Sequence, residues 1–111
     1  MTAGRDPVAV AALQYCAAGT AEETLRTLMP LIDRAADDGA KLVCLPEAAT
    51  FLAASRAALA DEAEPAGESP VLDRLCNAAA RRGIELSIGS MFFLGPDGRH
   101  VNRHLLVGAD G

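Results

Sequence analysis

The chain has 111 residues, which is the size of one domain, so an assembly of several domains is excluded. Half of the residues are hydrophobic and 23% are charged, a composition that can fill a core and that differs from that of disordered segments. The net charge is -5 and the basic residues form no run, which argues against a protein that binds nucleic acids.

Membrane and export signals are not found in the sequence. No stretch approaches the roughly 20 apolar residues that a membrane span requires, and residues 1–7 lack the apolar segment of a signal peptide. The three cysteines, Cys16, Cys44 and Cys76, are widely spaced without a CxxC pair, which disfavours a disulfide framework and a zinc knuckle. We therefore expect a cytoplasmic protein with reduced thiols and no membrane partner.

A strand and a helix are predicted over the first 39 residues. Residues 8–13 form a nearly continuous apolar run, which is typical of a strand buried on both faces. Thr20 lies three residues before Glu23, an arrangement that satisfies unpaired amides at a helix start. Apolar residues then recur at helical spacing up to Gly39, which can end the helix, and Pro30 is expected to kink or loosen it.

The middle of the chain predicts a second strand, a second helix and a loop. Residues 41–45 predict a strand that is apolar after Lys41, and Pro46 ends it because proline cannot donate to a sheet ladder. The alanine-rich stretch up to residue 60 predicts a helix from Phe51 or Leu52. The acidic residues 61–69 contain proline and glycine and predict a loop.

A third helix and a hairpin follow. Ser69 can cap this helix, Pro70 suits its first turn and Gly83 suits its end. Residues 84–93 predict a strand, and a turn at residues 95–98 leads into a last strand around residues 101–107. The order βαβαββ predicts an α/β fold whose sheet is parallel through right-handed crossovers and ends in an antiparallel hairpin.

Glu47 is the most informative residue of the sequence. It lies just past the carboxyl end of a strand predicted to be central, and open α/β sheets bind their ligands at that edge. Position alone does not distinguish a functional carboxylate from a solvated loop residue or a helix cap.

The cysteines do not form an obvious partner for Glu47. Cys44 is three residues upstream, but free cysteines are among the most buried residues, so we expect Cys44 to belong to the core. Cys76 lies in the apolar stripe of the third helix and is expected in the core as well. Cys16 follows the first strand without a histidine nearby in sequence, and its role stays open.

Polar residues near the hairpin carry weaker indications. His100 and His104 are four residues apart, which on a strand separates them by about 13 Å, so no metal site is predicted. The pair Gly89-Ser90 can bring backbone close to a ligand or can mark a bulge, and the second is commoner. Asn102 can hold a turn or brace a loop of an active site.

Four segments follow one another along the chain: VAVAALQ, GAKLVCLPE, ARRGIELSIGS and PDGRHVNRHLLVGADG. In this order they resemble the nitrilase superfamily of carbon-nitrogen hydrolases, from about Val8 to Gly111. The strongest pieces are LPE ending at Glu47, the GS pair and the strand that contains Asn102. The second and third segments are most similar to the branch of amidases that act on omega-amides and deaminated glutathione.

The resemblance implies an α-β-β-α sandwich, of which residues 1–111 form only the first βαβαββ portion. The chain is then the amino-terminal part of a single domain more than twice its length. The implied activity is hydrolysis of non-peptide carbon-nitrogen bonds in small amides or nitriles, without metal or organic cofactor. The family commonly assembles into homo-oligomers, so we expect one for the full-length protein.

In the family a cysteine, a lysine and a glutamate act together in catalysis. This sequence contains a residue that matches the glutamate, but none that matches the cysteine or the lysine. Glu47 falls on the general-base glutamate, which takes the proton of the thiol and later activates water. Lys41 lies upstream of LPE and does not match the lysine, and none of the cysteines matches the nucleophile. The resemblance therefore predicts that the chain is inactive alone, and no substrate-binding residue is assigned.

Two alternatives remain. The chain can be an autonomous small α/β binding or regulatory domain without catalysis, in which Glu47 is replaceable. It can also be a non-catalytic remnant that pairs with intact subunits. If it is instead a portion of a sandwich, the open sheet edge and uncovered sheet face predict marginal stability for the isolated chain.

Overall fold

The computed structural model describes residues 6–111, so most of the segment compared above with a signal peptide lies outside the described part. The elements in chain order are β1 (Val10–Ala12), α1 (Ala21–Asp37), β2 (Leu42–Leu45), α2 (Arg56–Glu62), β3 (Glu64–Pro65), α3 (Pro70–Arg82), β4 (Glu85–Leu94) and β5 (His100–Val107). None of the helices in residues 6–111 is both long and apolar enough to cross a membrane.

The five strands form one mixed sheet. Strands β1, β2 and β4 are parallel neighbours in that order, and β3 pairs in parallel with the end of β4. Strand β5 returns antiparallel along β4, with Leu86 opposite Val107 and Leu94 opposite His100. The predicted parallel sheet and the predicted hairpin are both confirmed, and β2 is central between β1 and β4.

Local end signals in the two long helices behave as predicted. The Thr20 hydroxyl accepts a hydrogen bond from the Glu23 amide at the start of α1, and the Ser69 hydroxyl accepts one from the Leu72 amide at the start of α3. Helix α3 ends at Gly83, whose φ of 62° lies in the left-handed region that glycine adopts easily. The helical backbone of α1 continues through Pro30.

The region after β2 differs from its prediction. Residues 51–55 are not helical, because their backbone takes tertiary partners: the Leu52 amide donates to the Ala18 carbonyl at 2.9 Å. Helix α2 begins only after Ser55, whose hydroxyl caps it. The loop predicted over residues 61–69 contains β3, whose Pro65 is tolerated because β3 lies at the edge of the sheet.

Strand β1 is shorter and more exposed than its apolar run predicts. It pairs only with β2, over three residues, and its other edge has no partner strand among the described residues. Val8 is 66% exposed and Val10 is 57% exposed. The expectation of burial on both faces is therefore wrong for this strand.

The core lies on one face of the sheet, between the sheet and helices α1 and α3. Its largest fully buried side chains are Phe93, Leu25, Leu28, Ile32, Leu75, Ile84, Leu86, Ile88 and Val43. These residues recur at helical spacing on α1 and α3 and alternate along β2 and β4, as packing of helices on one sheet face requires.

The opposite face of the sheet has little covering it. Ala12, Cys44, Ser87 and Leu106 form one register row across β1, β2, β4 and β5 on that face, and Leu106 is 65% exposed. The radius of gyration is 15.1 Å, compared with about 13 Å for a compact domain of this length. An exposed apolar sheet face and an extended shape both support the expectation of marginal stability for the isolated chain.

Candidate functional site

Glu47 lies at the carboxyl edge of the central strand. Strand β2 ends at Leu45, and the next residues turn away from the sheet. The Glu47 side chain is exposed and borders an open depression of about 360 Å³. The depression is lined by Tyr15, Cys16, Ala17, Glu47, Ala48, Leu52 and Phe92. The carboxylate thus borders a mostly apolar depression at the edge where open α/β sheets bind their ligands.

The chain directly after Glu47 is held by strand β4. The Ser90 hydroxyl accepts a hydrogen bond from the Ala48 amide at 2.8 Å, and the Ser90 carbonyl accepts one from the Ala49 amide at 2.9 Å. Ser90 itself is only 6% exposed. Buried hydrogen bonds of this kind define a single loop conformation, because an unpaired amide there would be costly.

Ser90 can reach these amides because β4 carries a bulge at this point. The register with β5 shifts between Ile88 and Met91, and both of these residues are buried although they are three positions apart. In a regular strand, residues three positions apart point to opposite faces of the sheet. The extra residue of the bulge brings Ile88 and Met91 to the same face. The interpretation of Gly89-Ser90 as a bulge is therefore confirmed.

Gly89 permits the close approach of this bulge to the end of β2. A Cβ atom at Gly89 would lie 2.6 Å from the carbonyl carbon and oxygen of Pro46 and 2.7 Å from the oxygen of Leu45. Those neighbours are backbone atoms, which cannot rotate away. A residue with a side chain at position 89 would therefore push the segment that carries Glu47 out of place.

Ala48 has a strained backbone conformation next to Glu47. Its φ is 49°, in the left-handed region. Among residues 6–111, Ala48 is the only residue other than glycine whose φ is positive. This conformation costs an alanine about 1–2 kcal/mol. The Ser90 hydrogen bonds offset that cost and so maintain the sharp turn in which Glu47 lies.

Tyr15 contacts the same loop from the side of β1, and it is not among the residues predicted from the sequence. Its hydroxyl donates a hydrogen bond to the Ala49 carbonyl at 2.6 Å. Burial raises the pKa of Tyr15 well above its ordinary value, so the hydroxyl keeps its proton. The signal available in the sequence was a lone tyrosine directly after the first apolar run, at the same sheet edge as Glu47.

The three cysteines lie in different environments. Cys16 is exposed and shares the depression with Glu47. Cys44 is half-buried on the uncovered face of β2, so its predicted place in the core is wrong, because Val43 and Leu45 are the residues that face the helices. Cys76 is half-buried and packs against the core from α3, where it was expected.

The remaining candidates, His100, Asn102 and His104, do not line the depression that Glu47 borders. His100 and His104 are both on β5, and His104 Nε2 is 3.0 Å from the Ser87 hydroxyl on the uncovered sheet face. Asn102 is exposed and opposite Phe92, which lines the depression. Residues 6–111 contain no group of three or more His, Cys, Asp or Glu side chains placed to hold a metal ion. The structure thus brings together Glu47, Cys16 and the Gly89-Ser90 bulge.

Comparison with known protein families identifies the class to which this arrangement belongs. The family model described as carbon-nitrogen hydrolase matches residues 8–111. The chain therefore belongs to the carbon-nitrogen hydrolase family, which confirms the resemblance to the nitrilase superfamily.

Solved structures share the fold. The NitFhit protein of C. elegans superposes with a TM-score of 0.83 at 23% identity, over 91% of this chain and 25% of that one. Nit3 of Saccharomyces cerevisiae, described as a member of branch 10 of the nitrilase superfamily, has a TM-score of 0.80 at 24% identity, over 94% and 41%. The amidase NitN of Nesterenkonia sp. AN1 has a TM-score of 0.75 at 22% identity, over 94% and 40%. The chain thus spans a quarter to two fifths of these proteins.

Proposed function

We propose that the chain is the amino-terminal portion of a hydrolase domain that cleaves non-peptide carbon-nitrogen bonds of small amides or nitriles. Glu47 is the general base of that reaction. The observation that carries the proposal is the placement of the Glu47 carboxylate in a depression at the carboxyl edge of the central strand, with the following backbone held by Ser90.

The chemistry assigned to Glu47 is proton transfer. For an amide substrate, the carboxylate accepts the proton of a cysteine thiol as the sulfur bonds to the carbonyl carbon, and it returns that proton to the departing amine. Water then attacks the thioester carbon and gives a proton to Glu47, the carbon-sulfur bond breaks to release the acid, and the proton returns from Glu47 to the cysteine sulfur. An exposed carboxylate on a fixed backbone can serve both steps because the thiol and the water can each approach it from the depression.

The nucleophilic cysteine and the oxyanion-stabilising lysine come from residues beyond this chain. Lys41 lies one residue before β2, at the opposite end of that strand from Glu47, which supports leaving it unassigned. Cys16 borders the depression but does not match the family's nucleophile, and we give it no role in bond cleavage. The chain alone is then inactive.

The description of a structural neighbour as an amidase is consistent with the proposed class of reaction. NitN is described as an amidase, and one structure of a glutamate-to-glutamine mutant of that amidase is described as carrying acrylamide on its active-site cysteine.

For the complete protein we propose a homo-oligomer in the cytoplasm, where three free thiols stay reduced. The proposed branch is that of the omega-amide and deaminated-glutathione amidases.

The test is a Glu47→Gln variant of the complete protein, assayed on a panel of small primary amides and nitriles. Removal of the proton acceptor is expected to lower kcat by about 100-fold to 10,000-fold while the fold is retained. Glu68→Gln is the matched control, since Glu68 is exposed in the loop before α3 and away from the depression. Near-normal activity of Glu47→Gln would overturn the role of Glu47, whereas failure of the wild-type protein to hydrolyse any member of the panel would favour the alternative of a binding or regulatory domain.

A further inference from the structure

We propose that Tyr15 is a positioning residue for Glu47, which acts by holding the carbonyl of Ala49. The inference rests on the proposed function, because it concerns how the carboxylate of that site is oriented. Tyr15 is assigned no direct role in proton transfer.

The loop after Glu47 is held from two sides. Strand β4 holds its amides, since Ser90 accepts hydrogen bonds from Ala48 and Ala49. The segment after β1 holds the carbonyl of Ala49 through the Tyr15 hydroxyl at 2.6 Å. Both backbone polar groups of Ala49 are therefore paired with residues that are distant in sequence.

Ala49 is fully buried, so the loop keeps its conformation only while both of these hydrogen bonds are made. A buried carbonyl without a donor destabilises the conformation that buries it, so loss of the Tyr15 hydroxyl favours a shift of the loop. Only the strained Ala48 separates Ala49 from Glu47. A rotation at Ala48 that lets the Ala49 carbonyl find another donor would move the Glu47 carboxylate with it.

The hydroxyl of Tyr15 is committed to this contact while its ring borders the depression. The Tyr15→Phe variant keeps the ring and removes the hydroxyl alone. Substrate contacts with the wall of the depression are retained, so KM is expected to change little. The position of the base is altered, and a displacement of about 1 Å at a reacting group lowers rates by up to about 100-fold.

The matched control is Ser69→Ala. Ser69 is also buried, and its hydroxyl also makes structural hydrogen bonds, to the Glu64 carboxylate and the Leu72 amide at the start of α3. Its loss lowers stability without touching the loop at Ala48 and Ala49. A general loss of stability and a specific loss of positioning are thereby separated.

The experiment compares Tyr15→Phe, Ser69→Ala and wild type of the complete protein by amide hydrolysis and by hydrogen exchange of the peptide around residues 46–50. The inference predicts that Tyr15→Phe lowers kcat at least about tenfold with KM within threefold, and speeds exchange at Ala48 and Ala49. Ser69→Ala is expected to lower the melting temperature while kcat and that exchange stay as in wild type.

The inference is overturned if Tyr15→Phe has wild-type kcat, if exchange around residues 46–50 is unchanged, or if Ser69→Ala loses as much kcat as Tyr15→Phe. Glu47→Gln is measured in parallel. If that variant stays active, the proposed function fails, and hydrogen exchange still decides whether Tyr15 holds the loop. If Glu47→Gln is inactive and Tyr15→Phe is normal, only the inference about Tyr15 fails.

Discussion

The Ser90 hydroxyl of β4 accepts a hydrogen bond from the Ala48 amide at 2.8 Å, directly beside Glu47. The contact joins residues that are 42 positions apart in the chain. The LPE and GS motifs of the sequence are thus two halves of one local structure, in which a bulge on β4 holds the turn after β2.

Replacement of Gly89 by alanine tests this local structure. The added Cβ would lie 2.6 Å from backbone atoms of Pro46, so Gly89→Ala should destabilise the fold by about 1–3 kcal/mol and lower the hydrolytic rate of the complete protein. Gly67→Ala is the control, because no atom lies within 4 Å of a Cβ at that position. Urea unfolding checks the result, and equal stabilities of the two variants would contradict the close approach.

The phenol of Tyr15 should ionise only at a pH above its ordinary range. Its pKa is raised by burial, so the difference in absorbance at 295 nm between wild type and Tyr15→Phe should stay flat through pH 10, the ordinary value. Because the folded pKa is higher than the unfolded one, the corresponding stability is present below pH 10 and is lost as pH rises further. A half-ionised Tyr15 at pH 10 in the folded protein would contradict the burial of its hydroxyl.

The cysteines should differ in reactivity. Cys16 is exposed, whereas Cys76 is half-buried and its pKa is raised by burial and by the nearby Asp73 carboxylate. Alkylation of the native protein with iodoacetamide at pH 8 should therefore modify Cys16 first and Cys76 more slowly, because the thiolate is the reacting form. Peptide mass spectrometry measures both rates, and modification of Cys76 ahead of Cys16 would be inconsistent with the structure.

The isolated 111-residue chain should be only marginally stable. Its sheet has one face with exposed apolar residues, including Val10 and Leu106, so less apolar area is buried than in a complete sandwich. Thermal and urea unfolding should show a broad transition at low denaturant, with aggregation on heating. A steep, fully reversible transition of the purified monomer would count against this prediction.

Features controlled by neighbouring residues could be predicted from the sequence. The caps at Thr20 and Ser69, the end of α3 at Gly83 and the position of Glu47 after Pro46 all follow from local backbone chemistry. Parallel pairing of β1, β2 and β4 follows from the alternation of strands and helices.

Features controlled by distant partners could not be predicted in this way. Residues 51–55 have helical composition, but the Leu52 amide pairs with Ala18 instead. The two-residue strand β3 exists only through its pairing with Phe93 and Leu94. Tyr15 gains its place at the site through the Ala49 carbonyl, 34 residues away. The proposed role of Glu47 came from family resemblance, since its position alone did not distinguish a functional carboxylate from a solvated loop residue or a helix cap.

The central claim is that this chain is one part of a larger carbon-nitrogen hydrolase, to which it contributes Glu47. The most direct test is the intact mass, in native cells, of every species that contains the peptide around Glu47. The account predicts a species more than twice as heavy as the 11.5 kDa of this chain. Recovery of an 11.5 kDa species alone would contradict it, since no cysteine-lysine-glutamate mechanism could then operate within one chain.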